Sequence, residues 1–214
     1  MIWSSEAKSE KSGYCTPLLI ELSSRKLLVT MTEHHIVGLD AKSGDMLWSY
    51  PQTNEYMVHA NTPVYHDGSV FCFSGYGQGG VMLQLNEDGS KVTKKWFSSM
   101  MDSRMGGAVY HDGYLYGSGD YSRVWFCAEW ETGDTTYTSK EIAKGVVILA
   151  DEKLYCYSQR GELAMVKADP AEFKLLGETR VELGTEQHWA HPVIFRGVLY
   201  VRHGEVLMAY KIKA

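Results

Sequence analysis

The chain has no Cys-x-x-Cys pair, no apolar run long enough to cross a bilayer and no stretch of helical apolar periodicity. Each absence excludes a class of protein. Its four cysteines, Cys15, Cys72, Cys127 and Cys156, stand far apart, which argues against a zinc ribbon or a thioredoxin-like dithiol. Cys72 and Cys156 lie inside β-branched and aromatic runs, so all four are expected to be reduced and structural. A membrane-spanning helix needs about 18 or more consecutive apolar residues, and Met1-Ile2-Trp3-Ser4-Ser5 lacks the basic flank and apolar stretch of a signal peptide. A soluble chain is expected, its export signal removed or never present. Positive charge is also scarce: 21 lysines and arginines against 26 acids leave a formal net charge of −5, with no overall electrostatic reason to bind nucleic acid or an anionic membrane surface. Nucleophile elbows, Walker loops, dinucleotide fingerprints and zincin helices are missing as well. Gly75-Tyr76-Gly77-Gln78-Gly79 is not followed by a helical pattern, so it does not form a phosphate cradle at a helix end.

What the 214 residues do contain is ordinary core-forming material, 44% apolar and 12% aromatic, organised by a repeat. Thr62-Pro63-Val64-Tyr65-His66-Asp67-Gly68 returns as Gly107-Ala108-Val109-Tyr110-His111-Asp112-Gly113, an offset of 45. Related openings begin at Thr16, Gly145 and His191. After each comes a tight turn, Asp-Gly or Arg-Gly in the clearest cases, and a second apolar run, the signature of a β-hairpin. A third run follows, as in Ile36-Val37-Gly38-Leu39, then a turn and a fourth run, clearest in Asp40-Ala41-Lys42-Ser43-Gly44-Asp45-Met46-Leu47-Trp48. Four short strands per unit at this period predict an all-β fold, a β-propeller of four-stranded antiparallel blades. A β-sandwich, the competing architecture, rarely carries a fixed repeat of this length. The chain reads as one propeller domain or part of a larger ring, with units at about 15–50, 60–98, 103–141, 144–182 and 188–213. The fifth unit ends after its third strand, and Met1-Ile2-Trp3-Ser4 resembles the fourth-strand segment Met46-Leu47-Trp48-Ser49. Two expectations follow: residues 1–5 close the last blade and remove an exposed sheet edge, or the same pattern marks a cut between blades of a longer ring.

The segment Leu39 to Trp48 resembles the repeat of quinoprotein-like (pyrroloquinoline-quinone-like) β-propellers, in which an Asp-Ala-x-Thr-Gly turn leads to a Trp-bearing outer strand docked on the neighbouring blade. Asp40, Gly44 and Trp48 match that pattern, and Thr132, Gly133 and Asp134 match in part. The resemblance covers nearly the whole chain as blade rhythm. It implies either a non-catalytic ligand- or protein-binding propeller or a dehydrogenase of alcohols or sugars that uses pyrroloquinoline quinone with calcium. It also implies an exported or periplasmic setting, rings of more than five blades, and self-association if the ring is incomplete. The dehydrogenases of the family carry adjacent cysteines beneath the cofactor. No Cys-Cys occurs here, so the binding role is the expected one and activity does not follow from fold alone.

In a propeller the loops leading into the innermost strand and those joining the second to the third strand emerge on one face, the usual place for binding residues. The first set contains His59, Asn61, Arg104, Lys144, His188, Trp189 and His191; the second contains His34, His35, Tyr76, Arg123, Arg160, Arg202 and His203. Six of the eight histidines and four arginines then share a basic, imidazole-rich mouth, while His66 and His111 fall at the other face. Arginine pairs carboxylate or phosphate bidentately, and Trp189 and Tyr76 offer faces to a sugar ring. The expected partner is an anionic or carbohydrate-like small molecule, or a protein. His188 and His191, with His203, are potential metal ligands, but no Cys, Asp or Glu completes a recognisable spacing, and packing near the channel is expected of them.

Overall fold

The computed structural model describes residues 1–212. Among these the chain forms nineteen strands in five antiparallel sheets, with a single 3-10 turn at Ala7–Ser9. No helix is long and apolar enough to cross a membrane. Two compact units share the strands: one is Met1–Arg104 with Glu131–Gly133, the other Met105–Trp130 with the chain from Asp134 onward.

The first unit holds two sheets, each with its strands in sequence order. They are β1 (Leu18–Glu21), β2 (Lys26–Met31), β3 (His35–Asp40) and β4 (Met46–Pro51), then β5 (Val64–His66), β6 (Ser69–Ser74), β7 (Gly79–Leu85) and β8 (Val92–Ser98). The second unit holds three. β9 (Ala108–His111), β10 (Tyr114–Ser118), β11 (Trp125–Glu129) and β12 (Thr135–Ser139) form one sheet. β13 (Gly145–Ala150), β14 (Lys153–Ser158), β15 (Glu162–Lys167) and β16 (Lys174–Arg180) form the next, and β17 (Val193–Phe195), β18 (Val198–His203) and β19 (Val206–Lys211) the last. This is the blade architecture read from the repeat.

The opening hairpins explain why the Asp-Gly signal recurs. A two-residue turn that follows the twist of its strands needs positive φ at both central positions. Asp67 and Gly68 have φ of 41° and 74°, Asp112 and Gly113 of 46° and 87°, and Arg196 and Gly197 of 50° and 78°. In the second unit a middle strand is apolar on both faces because sheets stack against both: Leu154 and Cys156 of β14 pack with Tyr116 and Trp125, Tyr155 and Tyr157 with Leu199 and Val201. All six residues of β6 are buried, whereas β16, at a sheet edge, is exposed along its length. Stacked sheets share cores: Ile20, Val29 and Trp48 pack with Val70, Val81 and Leu83 in the first unit, and Tyr155, Tyr157 and Leu163 with Leu199, Val201 and Met208 in the second.

A bulge recurs between the third and fourth strands, and the residue opposite it is aromatic in three sheets. Trp48 faces Gly38, Trp96 faces Met82 and Tyr137 faces Cys127. In the first unit the indoles dock on turn glycines. Trp48 donates its Nε1–H to the Gly89 carbonyl at 3.1 Å, and a Cβ on Gly133 would lie 2.7 Å from the Trp96 ring. Both turns need glycine for φ of 69° and 77°, and Gly133 also for the approach of the Trp96 ring.

Residues 1–5, expected to complete the last blade, lie in no strand, and the β17–β18–β19 sheet has three strands. Trp3 instead donates to the Ala41 carbonyl at 3.0 Å and covers Gly44, an indole over a turn glycine as Trp96 lies over Gly133. The four cysteines are free; Cys72, Cys127 and Cys156 are buried, and burial pushes each of these thiols up.

Trp48 is 7% exposed, so Trp48→Ala should cost about 3–5 kcal/mol in urea unfolding. Leu176→Ala on the exposed β16 should stay within about 0.5 kcal/mol of the parent.

Candidate functional site

The segment between β16 and β17, residues 183–192, has no regular structure, yet it is held from beneath by buried side chains of the second unit. His203, at the end of β18 and 6% exposed, has Nδ1 at 2.8 Å from the Leu183 carbonyl and Nε2 at 3.0 Å from the Glu186 carbonyl. The two ring nitrogens thereby tie two points of the segment to one side chain. Gly184 permits this approach: its φ is 94°, and a Cβ there would lie 2.2 Å from the His203 carbonyl oxygen.

On His203 lies His188, its ring stacked at 3.6 Å and 16°. The His188 imidazole is held below its ordinary value by burial first, then by His203 and Arg180. Burial, with a smaller contribution from Tyr210, pushes the Tyr157 phenol up to about 12. The two directions agree on the hydrogen bond between them: Tyr157 is the O–H donor and His188 Nδ1 the acceptor, at 2.5 Å. A phenol shifted upward is not an activated nucleophile. The cluster of Tyr157, His188 and His203 is thus chemically quiet, and its effect is to fix the loop. The loop presents Trp189, 46% exposed. The exposed Arg160 adjoins the Gly161 that packs on His188, and the exposed Arg202 precedes His203 in β18. The Arg160 carbonyl accepts from Arg180 at 2.9 Å and Arg202 Nε donates to the Gly204 carbonyl at 3.0 Å.

Three other expected residues of this unit have separate places. Lys144 is paired with Asp120, their side chains 14% and 6% exposed, so its charge is neutralised inside the fold. His191 has Nε2 2.9 Å from the Met105 carbonyl. Arg123 is exposed with φ of 55°.

In the first unit, His59 is fully buried, with Nε2 3.1 Å from the Glu33 carbonyl and Nδ1 unpartnered; burial holds it below the ordinary imidazole value. Asn61 is buried and donates to the Ser103 carbonyl. Tyr76 and Arg104 do meet, the guanidinium 5.6 Å from the ring centre, and Tyr56 joins them at 4.4 Å. His35 pairs with Glu10 at 2.7 Å and His34 with Thr53 at 3.0 Å. Burial raises the Glu10 carboxyl, but hydrogen bonds from Thr32, His35 and the His34 amide outweigh it and hold it low. Residue reasoning missed Glu10, Asp120 as the partner of Lys144, and Tyr157. The first lies in an irregular segment with no pattern, and the last looked like one more strand aromatic.

The expected cofactor was tested against these residues. Calcium takes six to eight oxygen ligands, and among the described residues no cluster of three or more His, Cys, Asp or Glu side chains is arranged to hold a metal ion. The four cysteines are free.

A family model described as outer membrane protein assembly factor BamB matches residues 1–135. Among solved structures, BamB from Moraxella catarrhalis is similar over 92% of this chain and 58% of its own, at 12% identity and a TM-score of 0.69. A quinohemoprotein alcohol dehydrogenase from Comamonas testosteroni matches over 94% and 46%, at 12% identity and 0.66. A europium-containing methanol dehydrogenase matches over 80% and 42%, at 13% and 0.58. This chain thus spans about half the length of these proteins. A comparison with curated sequences gives no match.

Two measurements follow from the geometry. Lys144→Met leaves the Asp120 carboxylate buried without its lysine and should lower stability by roughly 3 kcal/mol. His59 and His188 titrate below 6.5 when folded, so the unfolded chain binds more protons as pH falls through that value. The melting temperature should therefore hold above about pH 6.5 and drop below it, with a shallower drop in His188→Gln.

Proposed function

The chain belongs to the outer membrane protein assembly factor BamB family, and on that premise we propose that it is a non-catalytic β-propeller that binds a protein partner through the loop carrying Trp189. The observation that carries this reading is the half-exposed indole of Trp189 on a loop pinned by His203 and His188. An irregular loop normally loses entropy on binding, and one already fixed avoids much of that cost. Tryptophan and arginine are the residues most enriched among binding hot spots. Here the exposed Arg160 and Arg202 adjoin the residues that hold the Trp189 loop, so the favoured partner surface combines an apolar pocket with carboxylates. The family description supplies the setting, assembly of outer membrane proteins, in which this chain would act as an adaptor.

A photo-crosslinking residue at Gln187, beside the indole, should give a discrete adduct in intact cells. Trp189→Ala should reduce that adduct at least tenfold, the scale of a hot-spot loss of about 2 kcal/mol, while leaving the melting temperature nearly unchanged. No adduct, or an equal one from a crosslinker at Leu176 on β16, would overturn the assignment.

A further inference from the structure

The fourth strand carries an aromatic residue opposite the bulge in three sheets, and in the fourth it carries glycine. Gly177 on β16 faces Met165, with the bulge between Met165 and Val166, the register of Trp48, Trp96 and Tyr137. Those three rings fill space: Trp48 lies against Gly38 with its N–H on the Gly89 carbonyl, Trp96 covers Gly133, and Tyr137 meets the Phe173 ring edge-on at 6.4 Å. A Cβ built on Gly177 would meet nothing within 4 Å. At this point the second unit has a cavity of about 260 Å³, open to solvent on one side and walled by Leu163 and Met165 of β15, Leu199 of β18, and Tyr210 and Ile212 at the end of β19.

The space has the size and chemistry of the ring that is missing. An apolar cavity of about 150 Å³ stays dry and takes up benzene, so one of 260 Å³ admits a fused bicycle. Its polar groups are acceptors at the margin. Glu178 and Thr179 line it, and the Tyr210 hydroxyl donates only to the Met208 sulfur, at 3.4 Å, leaving its oxygen free to accept. Trp48 shows the matching arrangement in the first unit, an indole on apolar walls with its N–H on one carbonyl. We propose that the cavity beside Gly177 is a binding site for a small indole-type molecule, a flat bicyclic aromatic with one N–H donor. The bound ring takes the register place that tryptophan side chains fill elsewhere. The site is separate from the Trp189 loop reading and does not depend on it.

Titration of the ¹⁵N-labelled protein with indole tests this. The amides of Ala164, Met165, Gly177 and Leu199 should shift saturably at millimolar indole or below. Gly177→Trp should abolish those shifts, weakening indole binding at least tenfold. It should also raise the melting temperature by about 2–4 °C, the scale for filling a cavity in a domain of this size. Gly177→Phe serves the same purpose if the larger ring is not accommodated. A parallel titration with the peptide acetyl-Gly-Trp-Gly-amide separates a free small molecule from a tryptophan carried by a partner chain. No shift at these amides with 5 mM indole, shifts that survive in folded Gly177→Trp and Gly177→Phe, or binding of the peptide without indole would each overturn the proposal.

Discussion

An aromatic ring laid over a glycine, one turn reaching under one indole, is the contact on which the stacking in the first unit depends. A sheet buried on both faces has no loop or helix to fix its distance from the next, so the spacing must come from side chains of constant size at constant register. Trp48, its N–H on the Gly89 carbonyl, and Trp96, its ring over Gly133, supply this. The bulge beside each ring lets the outer strand twist locally without losing its pairing. Trp3 over Gly44 repeats the contact where there is no strand at all, so the clamp is a property of the ring and the turn, not of strand pairing.

The second unit departs from that rule in two places, and both are informative. At Gly177 the clamp is missing and an apolar cavity stands in its position. At residues 183–191 an irregular loop is held without strand or helix by His203, which engages two backbone carbonyls, and by His188 stacked on it. Buried polar groups need partners, and here the need works in both directions: the loop carbonyls satisfy the ring, and the ring fixes the loop. Fold likeness to dehydrogenases and to BamB is shared by one scaffold with different sites.

Much of the architecture was legible in the residues. Asp67-Gly68 and Asp112-Gly113 mark turns whose backbone only a few residue types tolerate, and the spacing of Asp40, Gly44 and Trp48 marks the fourth strand. The candidate site was legible only in part. His59, Asn61 and Lys144 lie where the repeat places loops, but they are buried and bound to Glu33, Ser103 and Asp120. Nothing in residue type separates a histidine that faces solvent from one that ties two segments together.

The sequence by itself determined the strands and their turns, because these follow from local backbone preference and alternating hydrophobicity repeated at a fixed period. Tertiary structure alone decided which aromatic positions are filled and which is empty, and which histidines are structural. Those outcomes depend on atoms brought together across long chain separations, such as Tyr157 with His188 or Trp48 with Gly89. No local pattern encodes such distances; they arise when whole sheets pack.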